Sequence, residues 1–339
     1  MDSQQVLQTY ADKKILITGG AGCIGSNLVK TLLAGKPRKV VVLDDFSASY
    51  WWNLPKHASL EIVKGTILDD EGLKRVFYEY PDYVFHLAAH FANQNSIDHP
   101  ETDLLVNGLG TLKVLEYCRL SKPKRVVFAG SGCSVYGSHA KIPFKEDTVS
   151  LTLDTPYQVH KLLGELYCNH YHETYALPTV NARFFNVYGP GEVPGRYRNV
   201  IPNFFWRAMH GKQLQITGTG DETRDFSYGG DIVDGLLRMG IVDGAVGESI
   251  NLASARETTV KDLAESVNEI AGNKAGIVYV PKRDWDKSVR RLASIDKARR
   301  ILGYEPRMDF KEGLKKVYAW LQENKALIES SISPNDALW

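Results

Sequence analysis

No sign of charge dominates this sequence: 41 Lys and Arg stand against 40 Asp and Glu, a formal net charge of +1, and no block of like charge occurs. A nucleic-acid footprint or a basic membrane-facing surface needs clustered cations, so both are excluded. Long hydrophobic runs are missing too. The apolar stretches are strand-sized and Met1 to Asp12 is polar, so we expect neither a signal peptide nor a membrane span, and a cytoplasmic location. Cysteine is sparse: Cys23, Cys118, Cys133 and Cys168 form no close pairs, which suits reduced thiols rather than a disulfide framework or a metal site. Repeats and low-complexity segments are absent. With 43% hydrophobic and 24% charged residues among 339, the chain reads as an ordinary globule with a small-molecule partner.

Strand-like apolar runs then alternate with helical patterns, the signature of an α/β protein with a doubly wound parallel sheet covered on both faces. Strands are expected at Lys13 to Thr18, Lys39 to Asp44, Leu60 to Lys64, Tyr83 to Ala88, Lys124 to Gly130 and Thr179 to Phe184. After Phe185 the alternation fails at Gly189, Pro190, Gly191, Pro194 and Gly195. We therefore expect a dinucleotide-binding domain over 1–185 with a return segment near 225–250. A smaller substrate-binding lobe over 186–330 and a loose tail over 331–339 complete the division. Phe310, Leu314, Val317, Trp320 and Leu321 give a final helix one apolar stripe.

Ile15 to Gly25 runs from a buried strand through Gly19, Gly20 and Gly22 into a helix, the context a dinucleotide fingerprint requires. Glycine lets backbone approach a pyrophosphate, and the helix beginning near Cys23 offers unpaired N–H groups to it. Asp44 lies 19 residues beyond Gly25, at the end of the second strand, where a carboxylate accepts the adenosine ribose hydroxyls and repels a 2′-phosphate. The cofactor expected is NAD rather than NADP.

Asp154-Thr155-Pro156 is a helix start, which sets Tyr157 and Lys161 four apart on one face. A free phenol titrates near pH ~10, so bringing it to neutrality takes roughly 4 kcal/mol of anion stabilisation. Lys161, the helix start and the nicotinamide cation are the available sources. Upstream, Gly130-Ser131-Gly132-Cys133-Ser134-Val135-Tyr136-Gly137 places hydroxyls at the C-terminal edge of the sheet, where cofactor and substrate meet. His170 and His172 face opposite sides of a helix and make no metal site.

On these motifs the chain resembles the nucleotide-sugar epimerase/dehydratase branch of the extended short-chain dehydrogenases over nearly its whole length. The matching segments are Thr18 to Gly25, His86-Leu87-Ala88-Ala89, Asn107 ahead of Gly110-Thr111, Ser134 to Gly137, Tyr157 to Lys161, Arg183 to Pro190 and Thr223 to Phe226. The resemblance implies NAD contacts from Gly19, Gly22, Cys23, Ile24, Gly25, Asp44 and Asp45. It adds Thr66, Ile67, Leu87, Ala88, Ala89, Asn107, Tyr157, Lys161, Phe184 and Val187. It also implies a nucleotide-sugar cleft lined by Ser131, Asn186, Asn199 and Val200, with Arg224, Arg283 and Arg290 on the diphosphate or the sugar, a UDP-linked substrate and a homodimer built from the helices near 110–118 and 157–171.

Departures narrow the reaction. The family's catalytic serine or threonine position is Gly132 here, so Ser134 or Ser131 takes over the hydroxyl, with Cys133 the poorer donor. By resemblance, 4,6-dehydratases carry Asp-Glu where this chain has Cys133-Ser134, and UDP-glucuronate decarboxylases carry glutamate at the Ser134 position. 4-Epimerisation needs only Tyr157 as base and then acid, with NAD holding the hydride. Epimerisation at C3 and C5 through a cysteine is the lesser alternative, since that cysteine sits one residue later. A purely regulatory NAD-binding protein is the non-enzymatic one, and an intact Tyr157 and Lys161 argue against it. Glucose, N-acetylhexosamine and uronic acid forms of the sugar all stay open.

Overall fold

A computed structural model describes residues 1–138 and 140–332. Seven parallel strands form the central sheet: β1 (Lys14–Thr18), β2 (Lys39–Asp44), β3 (Leu60–Lys64), β4 (Tyr83–His86), β5 (Arg125–Ser131), β6 (Thr179–Phe184) and β7 (Ser249–Leu252). Their spatial order is β7-β6-β5-β4-β1-β2-β3. Period-two side-chain alternation divides the sheet between two cores. Ile15, Ile17, Val40, Val42, Phe85 and Val127 enter one, and Leu16, Val41, Leu43, Val84 and Val126 the other. The six strands expected from the sequence are present, three with the expected ends and three with ends shifted by one or two residues; β7, too short and polar to stand out, is added by the returning chain. Because β1 pairs with both β2 and β4, the winding direction reverses there, and a crevice opens outside the C-terminal ends of β1 and β4.

The helices that shape the site are α1 (Cys23–Ala34), α2 (Thr111–Ser121), α3 (Pro156–Tyr175), α4 (Val200–Met209), α5 (Gly229–Ile241), α6 (Asp296–Leu302) and α7 (Phe310–Glu323). A third core joins Tyr188, Phe204, Phe205, Trp206, Leu263, Leu314 and Val317 beyond the sheet. Two boundaries differ from the sequence expectation. Ala293, Ile295, Ala298, Leu302 and Tyr304, expected in the smaller lobe, pack into the larger core, because α6 lies against β7 and α5. The expected tail does not begin at 331. A helix over Lys325–Ser331 follows α7, buries Ile328, and receives hydrogen bonds from Tyr50 and from Trp52 Nε1 on Ser331. Residues 333–339 lie outside the described residues. Trp52 stacks between Tyr50 and Trp320, whereas Trp51 is exposed.

Candidate active site

At the crevice, the glycines are demanded by close approach rather than by flexibility alone. Gly19 has φ +73°, and a Cβ there would stand 2.6 Å from Ala88 N. A Cβ on Gly25 would stand 2.3 Å from Gly19 O, so α1 can pack onto the turn only as glycine. Gly22 is the N-cap of α1 with no side-chain cap, which leaves the first N–H groups of Cys23, Ile24 and Gly25 facing the crevice. Asp44 is buried: Oδ2 accepts from Ala21 N at 2.9 Å, and Oδ1 from Phe46 N at 3.0 Å and Ser49 Oγ at 2.7 Å. It therefore holds the loop that the cofactor must meet. Asp45 is exposed and binds Ser47, its own turn. Leu87 N donates to Thr18 O at 3.0 Å and Ala88 N to Thr18 Oγ1 at 3.3 Å, which sets the Leu87-Ala88-Ala89 edge opposite the glycines. His86 bridges Thr18 and Thr111, and burial pushes its imidazole down to about 3, so it stays neutral.

Further expected cofactor residues also hold the fold around the crevice. Asn107 is buried with Oδ1 accepting from His90 N and Nδ2 donating to His90 O and Asp103 Oδ1, so it clamps the segment after β4. Thr66 Oγ1 accepts from Leu68 N, and Ile67 is buried as a wall against Gly110. Phe184 and Val187 are buried beside the crevice.

Thr155 caps α3 and Pro156 is its first residue, so Tyr157 and Lys161 share a face as the spacing implied. Lys161 Nζ lies 5.7 Å from the Tyr157 ring centre and donates to Ala129 O at 3.0 Å. Burial pushes Lys161 down to about 8 and pushes the Tyr157 phenol up, with Asp103 and Cys133 adding to the rise. The protein alone therefore opposes ionisation of the phenol. Lys161 and the helix start, the expected sources of a lower value, do not offset this burial.

Gly132 stands where the family carries a hydroxyl because Phe185 fills that space: a Cβ would come within 2.2 Å of its ring. Ser134 is wholly buried and its hydroxyl is hydrogen-bonded to Ser131 Oγ at 2.8 Å, so the two candidate hydroxyls form one unit. Cys133 Sγ lies 3.5 Å from Asn186 Oδ1 and within electrostatic reach of Tyr157, Arg224 and Arg291. Asn199 stands just before α4, whose first residue is Val200, makes no side-chain cap, and donates to Glu192 instead.

The arginines redistribute. Arg224 is mostly buried and paired with Asp286 at 3.1 Å. Arg283 is exposed and lies over the Trp285 ring, whose Nε1 donates to Gln94 across the cleft at 2.7 Å. Arg290 does not enter the site: its side chain is 57% exposed and bound to Glu257, with Nε to Oε1 at 2.9 Å. Arg291, at 8%, is the buried one, with Nε on Ser288 Oγ and no carboxylate partner among the described residues. Adjacent residues on an extended loop point opposite ways, and sequence spacing alone does not say which points inward. Also unforeseen is Glu192: Oε1 accepts twice from Asn199, Oε2 is buried with no partner, and burial pushes the carboxyl up to about 7. A lone glutamate in a Gly-Pro loop carries no sequence signal of burial.

The profile of the NAD dependent epimerase/dehydratase family matches residues 15–253. The chain belongs to this family. Among solved structures, the epimerase Mth375 of Methanothermobacter thermautotrophicus is 58% identical with TM-score 0.96, covering 97% of this chain and 98% of that one. The Bordetella bronchiseptica enzyme WbmF in complex with NAD+ is 37% identical with TM-score 0.83, over 95% and 96%. The UDP-glucose 4-epimerase of Mycolicibacterium smegmatis is 34% identical over 89% of this chain and 96% of its own length. Relatives at 31% identity include a UDP-N-acetyl-alpha-D-glucosaminuronate decarboxylase and a dTDP-glucose 4,6-dehydratase. The chain is thus an NAD-dependent enzyme acting on nucleotide sugars. No helix among the described residues is long and apolar enough to cross a membrane.

Proposed function

We propose that this member is a 4-epimerase of a UDP-linked sugar, acting through a transient 4-keto sugar. The observation that carries this reading is the buried Tyr157 and Lys161 beside the Gly19–Ala88 crevice, with Cys133 and Ser134 where dehydratases and decarboxylases carry carboxylates. When bound, NAD accepts and returns the hydride, and the nicotinamide cation offsets the burial that disfavours the phenolate. Tyr157 takes the O4 proton as the hydride leaves C4, and gives it back when the hydride returns to the opposite face. Ser131, held by Ser134, donates to O4. Gly19, Gly22, Cys23, Ile24, Gly25, Asp44, Leu87 and Ala88 border the dinucleotide. Arg224 and Arg291 hold the anionic part of the substrate as fork donors.

The test is product chromatography on NAD-loaded protein supplied with UDP-glucose, UDP-N-acetylglucosamine and UDP-glucuronate. A 4-epimer formed from one of them, and lost by more than tenfold in Tyr157→Phe, is the expected result. A 4-keto-6-deoxy product, or a pentose with release of carbon dioxide, replaces this reading with dehydration or decarboxylation. We further read the protein as a homodimer, because Leu104, Leu105, Leu109, Val159 and Leu166 leave an exposed apolar stripe along α3 and the segment before α2. Sedimentation as a monomer at micromolar concentration contradicts that.

A further inference from the structure

One buried acid beside Tyr157 and Lys161 has no part in the reaction just described. Asp103 ends the short helix Pro100–Asp103 and runs into the π-helical turn Leu104–Gly110; it is completely buried. Its Oδ2 lies 2.6 Å from His160 Nδ1, and Oδ1 lies 3.4 Å from His90 Nδ1 and accepts from Asn107 Nδ2 at 2.9 Å. Among the described residues no lysine or arginine is within ion-pair distance of it. A buried carboxylate without a counter-charge is strongly disfavoured, and the groups at contact distance able to carry a positive charge are imidazoles. His160 is the closer, and it immediately precedes Lys161 on α3. Imidazole is also the side chain whose charge changes most readily near neutral pH.

The pair stands where its charge is felt by the catalytic residues. The groups facing it are Tyr157 and Lys161 on α3, His90 after β4 with His99 edge-on to it at 6.4 Å, and Asn107 on the π-helical turn; Cys133, on the turn after β5, reaches Tyr157 from another side. We propose that Asp103 and His160 form a charge-compensating pair that positions Lys161 and sets the electrostatic field in which Tyr157 loses and regains its proton. With His160 protonated the pair is neutral as a unit and the phenolate is accessible. With His160 neutral, the Asp103 carboxylate stands uncompensated behind the phenol and opposes its ionisation. Both residues act through Tyr157 and Lys161 and are positioning residues. The consequence for turnover rests on the reading of Tyr157 as acid and base.

A substrate-free titration tests the pair. The Tyr157 phenol is followed by ultraviolet difference spectroscopy on NAD-loaded protein, each variant being compared with its own Tyr157→Phe counterpart. His160→Gln, which keeps a donor to Asp103 but no charge, should raise the pH of phenol ionisation by roughly one unit. Adding Asp103→Asn should bring it back to the wild-type position or below, because the charge that needed compensation is gone. Rescue of this kind is not what a packing defect produces. If His160→Gln leaves the ionisation where it was, or if the double variant moves it further up, the proposal fails. Should His160→Gln not retain NAD, His160→Asn is read by the same criterion. Activity of Tyr157→Phe on UDP-glucose would defeat the proposed function while leaving this titration to decide the charge pair.

Discussion

The glycine turn between β1 and α1 and the loop over residues 281–291 both border the site, but they carry their function in different ways. The turn works through backbone: Gly19 and Gly25 are fixed by close main-chain contacts, as close as 2.3 Å for a hypothetical Cβ at Gly25, and Gly22 leaves the start of α1 without a side-chain cap. The loop works through side chains whose direction decides everything, since Arg290 meets Glu257 while Arg291 turns in toward Cys133. Backbone requirements leave a mark on residue type. Side-chain direction leaves none. Changes in the turn should therefore disturb folding and cofactor together, and changes in the loop should alter substrate handling alone.

The largest effect is expected at the turn. Gly25→Ala forces backbone against backbone and should cost about 3 kcal/mol or more, with loss of bound NAD. Urea denaturation and NAD content of the purified protein check this; an NAD-replete variant of wild-type stability breaks the contrast. Glu192, whose loop adjoins the turn, comes next. Its folded carboxyl titrates at about 7 against an ordinary ~4.3, so the folded state holds the proton longer than the unfolded chain. Stability should fall as pH rises through that window, and Glu192→Gln should relieve up to about 3 kcal/mol near pH 8 and little near pH 5. Thermal denaturation at the two pH values measures it, and an equal gain at both removes the titration from the account.

Asp44→Ala removes three hydrogen bonds from the buried end of β2 and should cost about 2 kcal/mol. It should also weaken NAD and relax discrimination against NADP; cofactor titration with an unchanged preference takes Asp44 out of ribose recognition. On the loop, Arg291→Ala should raise KM for UDP-glucose by roughly tenfold to a hundredfold, equivalent to about 1.5 to 3 kcal/mol. Arg290→Ala, the smallest change, should leave KM within about twofold, because its exposed pairing with Glu257 is worth little. A loss for Arg291→Ala confined to UDP-glucuronate would identify a sugar carboxylate as its partner; an equal loss on both sugars identifies the diphosphate.

Legibility followed the same division. The strands, the NAD turn, the Asp44 position and the α3 pair Tyr157 and Lys161 were readable because each rests on local periodicity, capping or a fixed spacing. The pairing of the two candidate hydroxyls, Ser134 and Ser131, and the clamp of Asn107 on His90 and Asp103 were not readable. Neither outcome has a local cause. Phe185 excludes a side chain at Gly132 from more than 50 residues away in sequence, a contact that only β5 and β6 lying side by side can create.

The sequence by itself determined the doubly wound sheet, the cofactor it serves and the phenol at its edge. These depend on which backbone conformations and hydrophobic periods the residues permit, and such constraints act over a few neighbouring positions. The tertiary structure alone decided which arginine enters the cleft, how Ser134 pairs with Ser131, how Glu192 loses its solvent and how Asp103 meets His160 behind Tyr157. Each of these is a matter of direction, burial and charge between segments distant along the chain. Burial and Coulomb interactions depend on distance in space, and spacing along the sequence carries that distance only within a single helix or strand.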